Sequence, residues 1–312
     1  MKAVEIKRAG GPAVMELVDV PVPAVGDGQV LIEVKAASIN PFDWKVRNGL
    51  FGDKLSLPFR LGTDLAGVVT AVGTSVTEFK IGDEVFGQAL VLNGGSGAFA
   101  EQAVTKPSTL AIKPRSVNFA EAAALPLAGV SALQALTEHL QLQAGQKILI
   151  TGGAGGIGSM AIALAKSIGA MVAVTVSSAE DAAYATARGA DVVVNVTDQS
   201  LVALVHDYDA VFDTVGGEAC KEAFRCLKPG GTIVSMLGKD DELAAQYQVT
   251  AIAQQTGTNT ERLTKLAEWV DAESVKPHIT LFPLAQVRQA FEAAESGQIQ
   301  GKAVLEITGK EE

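Results

Sequence analysis

At 312 residues the chain is too long for one ordinary core and suits two domains. Its composition, 48% hydrophobic and 19% charged, supplies buried cores and excludes a disordered chain. A net charge of −10 excludes a nucleic-acid backbone as ligand, because that would need a basic surface.

Residues 1–20 mix charges into their apolar positions, so no signal peptide is expected. No stretch approaches ~18 uninterrupted apolar residues, and no membrane partner is expected. Cys220 and Cys226 fall in one helix and the loop after it. That placement argues against a disulfide framework and fits a reducing, cytoplasmic setting.

From residue 1 to about 122 the chain reads as β-rich. Val30, Ile32 and Val34 alternate with Leu31, Glu33 and Lys35, the period of a sheet buried on one face. Turn residues recur at Pro21, Pro23, Gly26–Gly28, Gly62, Gly73 and Gly82–Asp83, which predicts a barrel-like domain of short strands. Near Phe119 the texture changes to apolar strand, turn and alanine-rich helix. Lys147–Thr151, Met171–Val176, Val192–Val196, Ala210–Val215 and Thr232–Met236 are predicted as strands buried on both faces. Ala161, Leu164, Ala165 and Ile168 follow the spacing of one packed helix face. This alternation predicts an α/β fold with a parallel, doubly wound sheet over residues 123–255. The tail, 256–312, is predicted to return to the first domain. It carries helices over Glu261–Ala272 and Leu284–Ser296, an extended Pro277–Phe282 and a final strand Ala303–Ile307.

The segment Gly153, Ala154, Gly155, Gly156, Ile157, Gly158 contains G-x-G-x-x-G between a predicted strand and a predicted helix. In that context one glycine turns the chain, one lets the backbone approach a pyrophosphate, and one lets helix and strand pack closely. The helix N-terminus adds unsatisfied amides and a positive dipole end. A nicotinamide dinucleotide is the expected ligand. NAD sites usually place a carboxylate about 20 residues further on. Here the second strand runs out at Ser177 and Ser178, two hydroxyls, which favours the 2′-phosphate of NADPH over NADH. Glu180 and Asp181 weigh against it if they point inward, or else begin the next helix.

With the turn and both domains in hand, the chain resembles the medium-chain dehydrogenase/reductases, within them the quinone oxidoreductase (zeta-crystallin) branch and its enone-reductase relatives. The resemblance rests on five segments in order: Ser38–Arg47, Leu61–Val69, Phe79–Gly87, Ala122–Pro126 and Gly301–Leu305. It implies a GroES-like catalytic domain beside a Rossmann domain. Alcohol dehydrogenases of the superfamily hold zinc with a cysteine and a histidine where this chain looks to have Asn40 and Thr63 or Asp64. His139, His206 and His278 are scattered without ligand spacing, so no metal is expected. Relatives that prefer NADPH often have a lysine at what looks like Asp181, and Arg188 is a remote substitute.

The resemblance further implies hydride transfer to a small electrophile, an enone or a quinone. Donors aimed at its oxygen would each contribute about 3 kcal/mol in a dry site. Asn40 and Lys45 are the expected donors; Asn40 is otherwise a turn residue before Pro41, and Lys45 otherwise a surface lysine. Phe51 stands where many quinone reductases have tyrosine, which shifts the expectation toward enones. Asp43 and Trp44 are expected to be structural. Thr214, Val215 and Gly238, after the fourth and fifth sheet strands, are expected at the cofactor, and Lys302 by resemblance. Asp213 is expected to cap a turn, and Ser131 to cap or pack. A homodimer is implied, with Val249–Ala253 as one place for contact. A non-catalytic dinucleotide-binding sensor or structural protein, an enoyl-thioester reductase and an alcohol dehydrogenase are the other readings.

Overall fold

Alternating burial organises the first domain in the computed structural model, which describes residues 1–273 and 275–307. Its N-terminal strands are β1 (Lys2–Ile6), β2 (Met15–Asp19), β3 (Val30–Ser38), β4 (Phe59–Arg60), β5 (Asp64–Val72), β6 (Glu84–Gln88), β7 (Gln102–Thr105) and β8 (Leu110–Ile112). In β3 the residues Val30, Ile32 and Val34 are buried while Leu31, Glu33 and Lys35 are half-buried, as the period of two requires. β3 pairs antiparallel with β5 from Val30↔Val72 to Ser38↔Asp64, with irregularities at Leu31/Ile32 and Val34/Ala36 that bend the pair. Gly67 sits inside that bend. A Cβ there would stand 2.1 Å from the Glu33 carbonyl oxygen, so only glycine closes the pair.

The second domain is a six-stranded sheet. β9 (Lys147–Thr151), β10 (Met171–Val176), β11 (Val192–Asn195), β12 (Tyr208–Asp213), β13 (Leu227–Ser235) and β14 (Thr250–Ala253) lie in the order β11-β10-β9-β12-β13-β14. Every pairing is parallel. In sequence terms the order is 3-2-1-4-5-6, the Rossmann arrangement, in which the strand order reverses at β9. The helix Gly156–Ile168 buries Ala161, Leu164 and Ala165, as their spacing predicts, while Ile168 is half-buried. The expected fourth strand ends two residues early, at Asp213. Its carboxylate accepts the amides of Val215 and Gly216 and turns the chain there.

The chain then returns to the first domain with β15 (Ile279–Pro283) and β16 (Lys302–Glu306). β16 pairs antiparallel with β3 at Val304↔Ser38, Leu305↔Ala37 and Glu306↔Ala36, and parallel with β15. The long sheet of this domain therefore runs β15-β16-β3-β5-β6-β8, with β7 also on β3. The helix Val287–Glu295 covers its core, where Phe291 meets Phe99 edge to face at 5.9 Å. The chain divides after Leu127 and again after Gly257. The boundary expected at 122/123 falls later because the Leu127 amide is held at 3.0 Å by Asp64 of the barrel domain. Residues 308–312 of the expected C-terminal part lie outside the described residues.

Candidate active site

The glycine turn leaves β9 at Thr151, and Gly152 at φ +72° starts it. A Cβ on Gly153 would stand 2.8 Å from the Val174 side chain, and one on Gly158 would stand 2.1 Å from the Gly152 carbonyl. Both positions are closed to any side chain, so the turn lies tightly against β10 and its own helix. Gly155 is exposed, serves as the N-cap of Gly156–Ile168, and has ordinary room for a Cβ, with Gly152 O at 3.5 Å. Ala154, Gly156 and Ile157 are half-buried around it. The first-turn amides of that helix have no intrahelical acceptor and offer an anion site at the carboxyl edge of the sheet.

Beyond β10, Ser177 is exposed and Ser178 is the N-cap of the helix Ala179–Ala187. The Ser178 hydroxyl accepts the Asp181 amide at 3.0 Å, so half of the expected hydroxyl pair already has a partner. Glu180 and Asp181 do begin that helix, where they complement its dipole. Arg188 ends the same helix, stacked on Tyr184 at 5.3 Å. Nine helical residues at ~1.5 Å each separate it from the serines, which removes it as a phosphate ligand.

Asp213 joins three strand ends. Its Oδ1 accepts the Thr151 hydroxyl at 2.7 Å and the amides of Val215 at 3.2 Å and Gly216 at 3.0 Å; its Oδ2 accepts the Ser235 hydroxyl at 2.7 Å. The carboxylate thus caps the turn and also ties β9, β12 and β13 together at their carboxyl ends. Thr214 is drawn inward, with its hydroxyl on the Thr151 carbonyl at 2.7 Å. Val215 is left exposed, and Gly238, at φ +132°, has open space on its Cβ side. Ser131 is buried and shares a 2.6 Å hydrogen bond with Thr256.

In the barrel domain the expected substrate donors diverge. Asn40 precedes the helix Pro41–Arg47 and is 1% exposed. Its Nδ2 donates to Asp64 Oδ2 at 3.0 Å, and its Oδ1 accepts from the Lys302 ammonium. Lys302, expected at the cofactor, is buried here and also donates to the Ile39 carbonyl at 2.8 Å. Asp64 further accepts from Gln88 Nε2 at 2.9 Å. Asp43 accepts the Asn40 amide at 2.8 Å and the Thr63 hydroxyl at 2.7 Å, so it is structural as expected. Burial pushes the Asp43 carboxyl up to about 7 and raises that of Asp64, while it lowers the Lys302 ammonium. Sequence reading missed this cluster because its members lie on four separate segments. The only signal was polar residues, Ser38, Asn40, Asp64 and Gln88, at strand ends next to fully apolar runs.

Lys45 stands exposed on the same helix, with no ion pair among the described residues. That helix is anchored at its end by Arg47. Arg47 grips Glu295 through Nη1 at 2.6 Å and Nη2 at 3.0 Å and donates through Nε to Gly10 O at 2.9 Å. Burial pushes both thiols, Cys220 and Cys226, up to about 12, which disfavours the thiolate that a nucleophile needs. Among the described residues no group of three or more His, Cys, Asp or Glu is arranged to hold a metal ion.

Residues 26–115 match the alcohol dehydrogenase GroES-like domain, and residues 188–305 match a domain described as zinc-binding dehydrogenase. The NADPH-dependent alkenal/one oxidoreductase of Arabidopsis thaliana chloroplasts is 36% identical over 98% of this chain and 79% of its own. Coxiella burnetii quinone oxidoreductase is 36% identical with a TM-score of 0.91, covering 99% of both chains. The Escherichia coli quinone oxidoreductase solved with NADPH is 27% identical with a TM-score of 0.89, covering 98% of this chain and 100% of its own. The chain belongs to the medium-chain dehydrogenase/reductase superfamily, in the branch of the quinone and alkenal/one oxidoreductases.

Proposed function

We propose that the chain is an NADPH-dependent oxidoreductase that transfers a hydride to a quinone or an α,β-unsaturated carbonyl without zinc. The observation that carries it is the turn Gly153–Gly158, closed to side chains at both ends and opening a helix at the sheet's reversal point. The first-turn amides of that helix fit a pyrophosphate. The similar alkenal/one oxidoreductase and Escherichia coli quinone oxidoreductase, both named with NADPH, support the choice of dinucleotide.

Gly153, Ala154, Gly155, Gly156, Ile157 and Gly158 would hold the pyrophosphate. Ser177 and Ser178 would stand at the 2′-phosphate, and Thr214, Val215 and Gly238 along the other half. Bound there, the dinucleotide supplies a hydride. The chain contributes position and electrostatics: Asp213 fixes the loop that carries Thr214 and Val215, and Lys45 offers a cation to the substrate oxygen as it gains negative charge. Asn40 acts from behind, held between Lys302 and Asp64, and Lys302 belongs to this barrel cluster in place of the cofactor site. Zinc independence is supported by the donor set: the Asn40 amide and the Thr63 hydroxyl are poor zinc ligands, and Asp64, the carboxylate alternative to Thr63, already accepts from Asn40, Gln88 and the Leu127 amide.

A cytoplasmic homodimer completes the reading. The free thiols suit a reducing compartment, and among the described residues β14 pairs with β13 alone, leaving an edge for a second copy. Fluorescence titration with NADPH and NADH, followed by enones and quinones, tests the function. Tight NADPH binding with oxidation on an acceptor is expected, whereas failure to bind either dinucleotide overturns the reading.

A further inference from the structure

At the carboxyl end of β14 stands Gln254, 4% exposed. Its backbone amide donates to the Ser235 carbonyl at 2.9 Å, and its side-chain Nε2 donates to the Ser131 carbonyl at 2.9 Å. That second bond settles which end of the amide is which, since a reversed amide would set two carbonyl oxygens against each other. Its other end, Oε1, is buried and has no hydrogen-bond partner among the described residues. A buried amide oxygen left unpaired bears its full desolvation penalty, so a native structure normally provides it with a donor.

The position in the sheet says what that donor is. In a Rossmann sheet the residue about 20 beyond the glycine turn, at the tip of the second strand, meets the adenosine ribose. Here that tip belongs to β10, on one side of β9. A dinucleotide whose pyrophosphate lies at the β9 turn therefore extends its nicotinamide half the opposite way, over β12, β13 and β14. Strands lie ~4.8 Å apart, which puts the end of β14 about 14 Å along the edge from β9. The nicotinamide half presents one strong N–H donor, the amide of its carboxamide. Gln254 closes a polar line along this edge, in which Asp213 holds Ser235, Ser235 holds the Gln254 backbone, and Ser131 holds its side chain.

We infer that Gln254 Oε1 accepts the carboxamide N–H of the nicotinamide and so selects the ring and its orientation. The inference rests on the proposed cofactor reading and holds for NADH and NADPH alike. Because the oxygen is covered in the structure, seating the ring uncovers it.

The test is calorimetric binding of three probes to the wild type and to Gln254→Met: NADP⁺, its 3-acetylpyridine analogue, and 2′-phospho-ADP-ribose. The analogue replaces the carboxamide NH₂ with a methyl group, and the third probe has no nicotinamide. The wild type is expected to bind NADP⁺ about tenfold more tightly than the analogue, the value of one well-placed hydrogen bond. Gln254→Met is expected to bind both equally while retaining its affinity for 2′-phospho-ADP-ribose. Wild-type indifference to the analogue, or an unchanged preference in Gln254→Met, overturns the inference. If Gln254→Met no longer binds 2′-phospho-ADP-ribose, the wild-type ratio decides alone: a preference for NADP⁺ over the analogue near tenfold supports the inference, and equal binding of the two overturns it. A wild type that binds none of the three probes overturns the cofactor reading itself.

Discussion

Lys302 and Asp64 hold opposite ends of a single amide, that of Asn40: the ammonium donates to Oδ1 and the carboxylate accepts from Nδ2. The cation and the anion are both buried and communicate through a neutral side chain between them. Breaking such an arrangement by removing one charge leaves the other uncompensated, at a typical cost of about 3–5 kcal/mol. Lys302→Met is expected to lose stability in that range by urea unfolding. Adding Asp64→Asn is expected to restore part of it. Equal loss in the single and double variants would show that Lys302 acts by packing alone.

The same cluster fixes a pH dependence. Burial raises the Asp43 carboxyl from 3.8 to about 7, so between those values the folded state binds a proton that the unfolded state has released. Stability from this group is present below 3.8 and is lost as pH rises through about 7. Asp43→Asn retains an oxygen for the backbone N–H of Asn40 and carries no charge. Its unfolding free energy is expected to fall less than the wild type's between pH 4 and 7. Identical slopes would mean that Asp43 stays ionised through that window.

Asn40 and Lys45 sit on one short element yet differ in burial, and their substitutions should separate accordingly. Lys45→Met removes an exposed cation that holds nothing in place, so the melting temperature is expected to stay put. Its kcat on an enone is expected to drop about tenfold, less than a fully desolvated donor would give. Asn40→Ala is expected to lower the melting temperature first, by taking one buried partner each from Lys302 and Asp64. Unchanged kcat in Lys45→Met would remove it from the chemistry.

Asp181 opens the helix after β10 and places a carboxylate in its first turn, beside the serines expected at the 2′-phosphate. A phosphate bound there would meet like charge. Asp181→Lys is expected to tighten NADPH binding roughly fivefold and leave NADH almost unchanged, the scale of a partly solvated ion pair. The helix loses a favourable dipole contact, so a small drop in stability of about 0.3–1 kcal/mol is also expected. Equal effects on the two dinucleotides would place the 2′-phosphate elsewhere.

What the sequence reveals about this molecule depends on whether its signal is local. β9 and β10 are legible to the residue because apolar, β-branched runs end at glycine or serine. The fourth strand reads on to Val215 because Thr214 and Val215 are both β-branched and continue a run that looks extended. Its true end is set by Asp213, whose carboxylate takes the amides of Val215 and Gly216 locally and is also held by the Thr151 and Ser235 hydroxyls, the part that no local pattern records. The first tail helix shifts by one residue at each end, as helix ends fray, and the second starts three residues late because Leu284–Gln286 winds as a 3-10 turn. The barrel cluster is hidden more deeply. Asn40 and Lys302 are 262 positions apart in sequence, and nothing in local spacing says that β16 returns beside β3.

The glycine turn supplies a contrast within one motif. At Gly158 an added methyl would meet the Gly152 carbonyl at 2.1 Å, a distance that no rotamer change relieves because both atoms are near or on the backbone. The turn must open, and with it the amides proposed to hold the pyrophosphate. At Gly155 the backbone is at φ −74°, acceptable to any residue, and the nearest atom would be at 3.5 Å. The two positions are three residues apart and belong to the same G-x-G-x-x-G, yet only one is closed by packing. Gly158→Ala is therefore expected to weaken NADPH at least about a hundredfold, the loss of several charge-assisted bonds together. Gly155→Ala is expected to weaken it by no more than about tenfold, through crowding at the phosphate rather than through the fold. Melting curves of both variants accompany the titrations, with Gly158→Ala expected to melt lower and Gly155→Ala unchanged. The reverse ranking would mean that the phosphates contact Gly155 directly and that the helix–strand packing at Gly158 is dispensable.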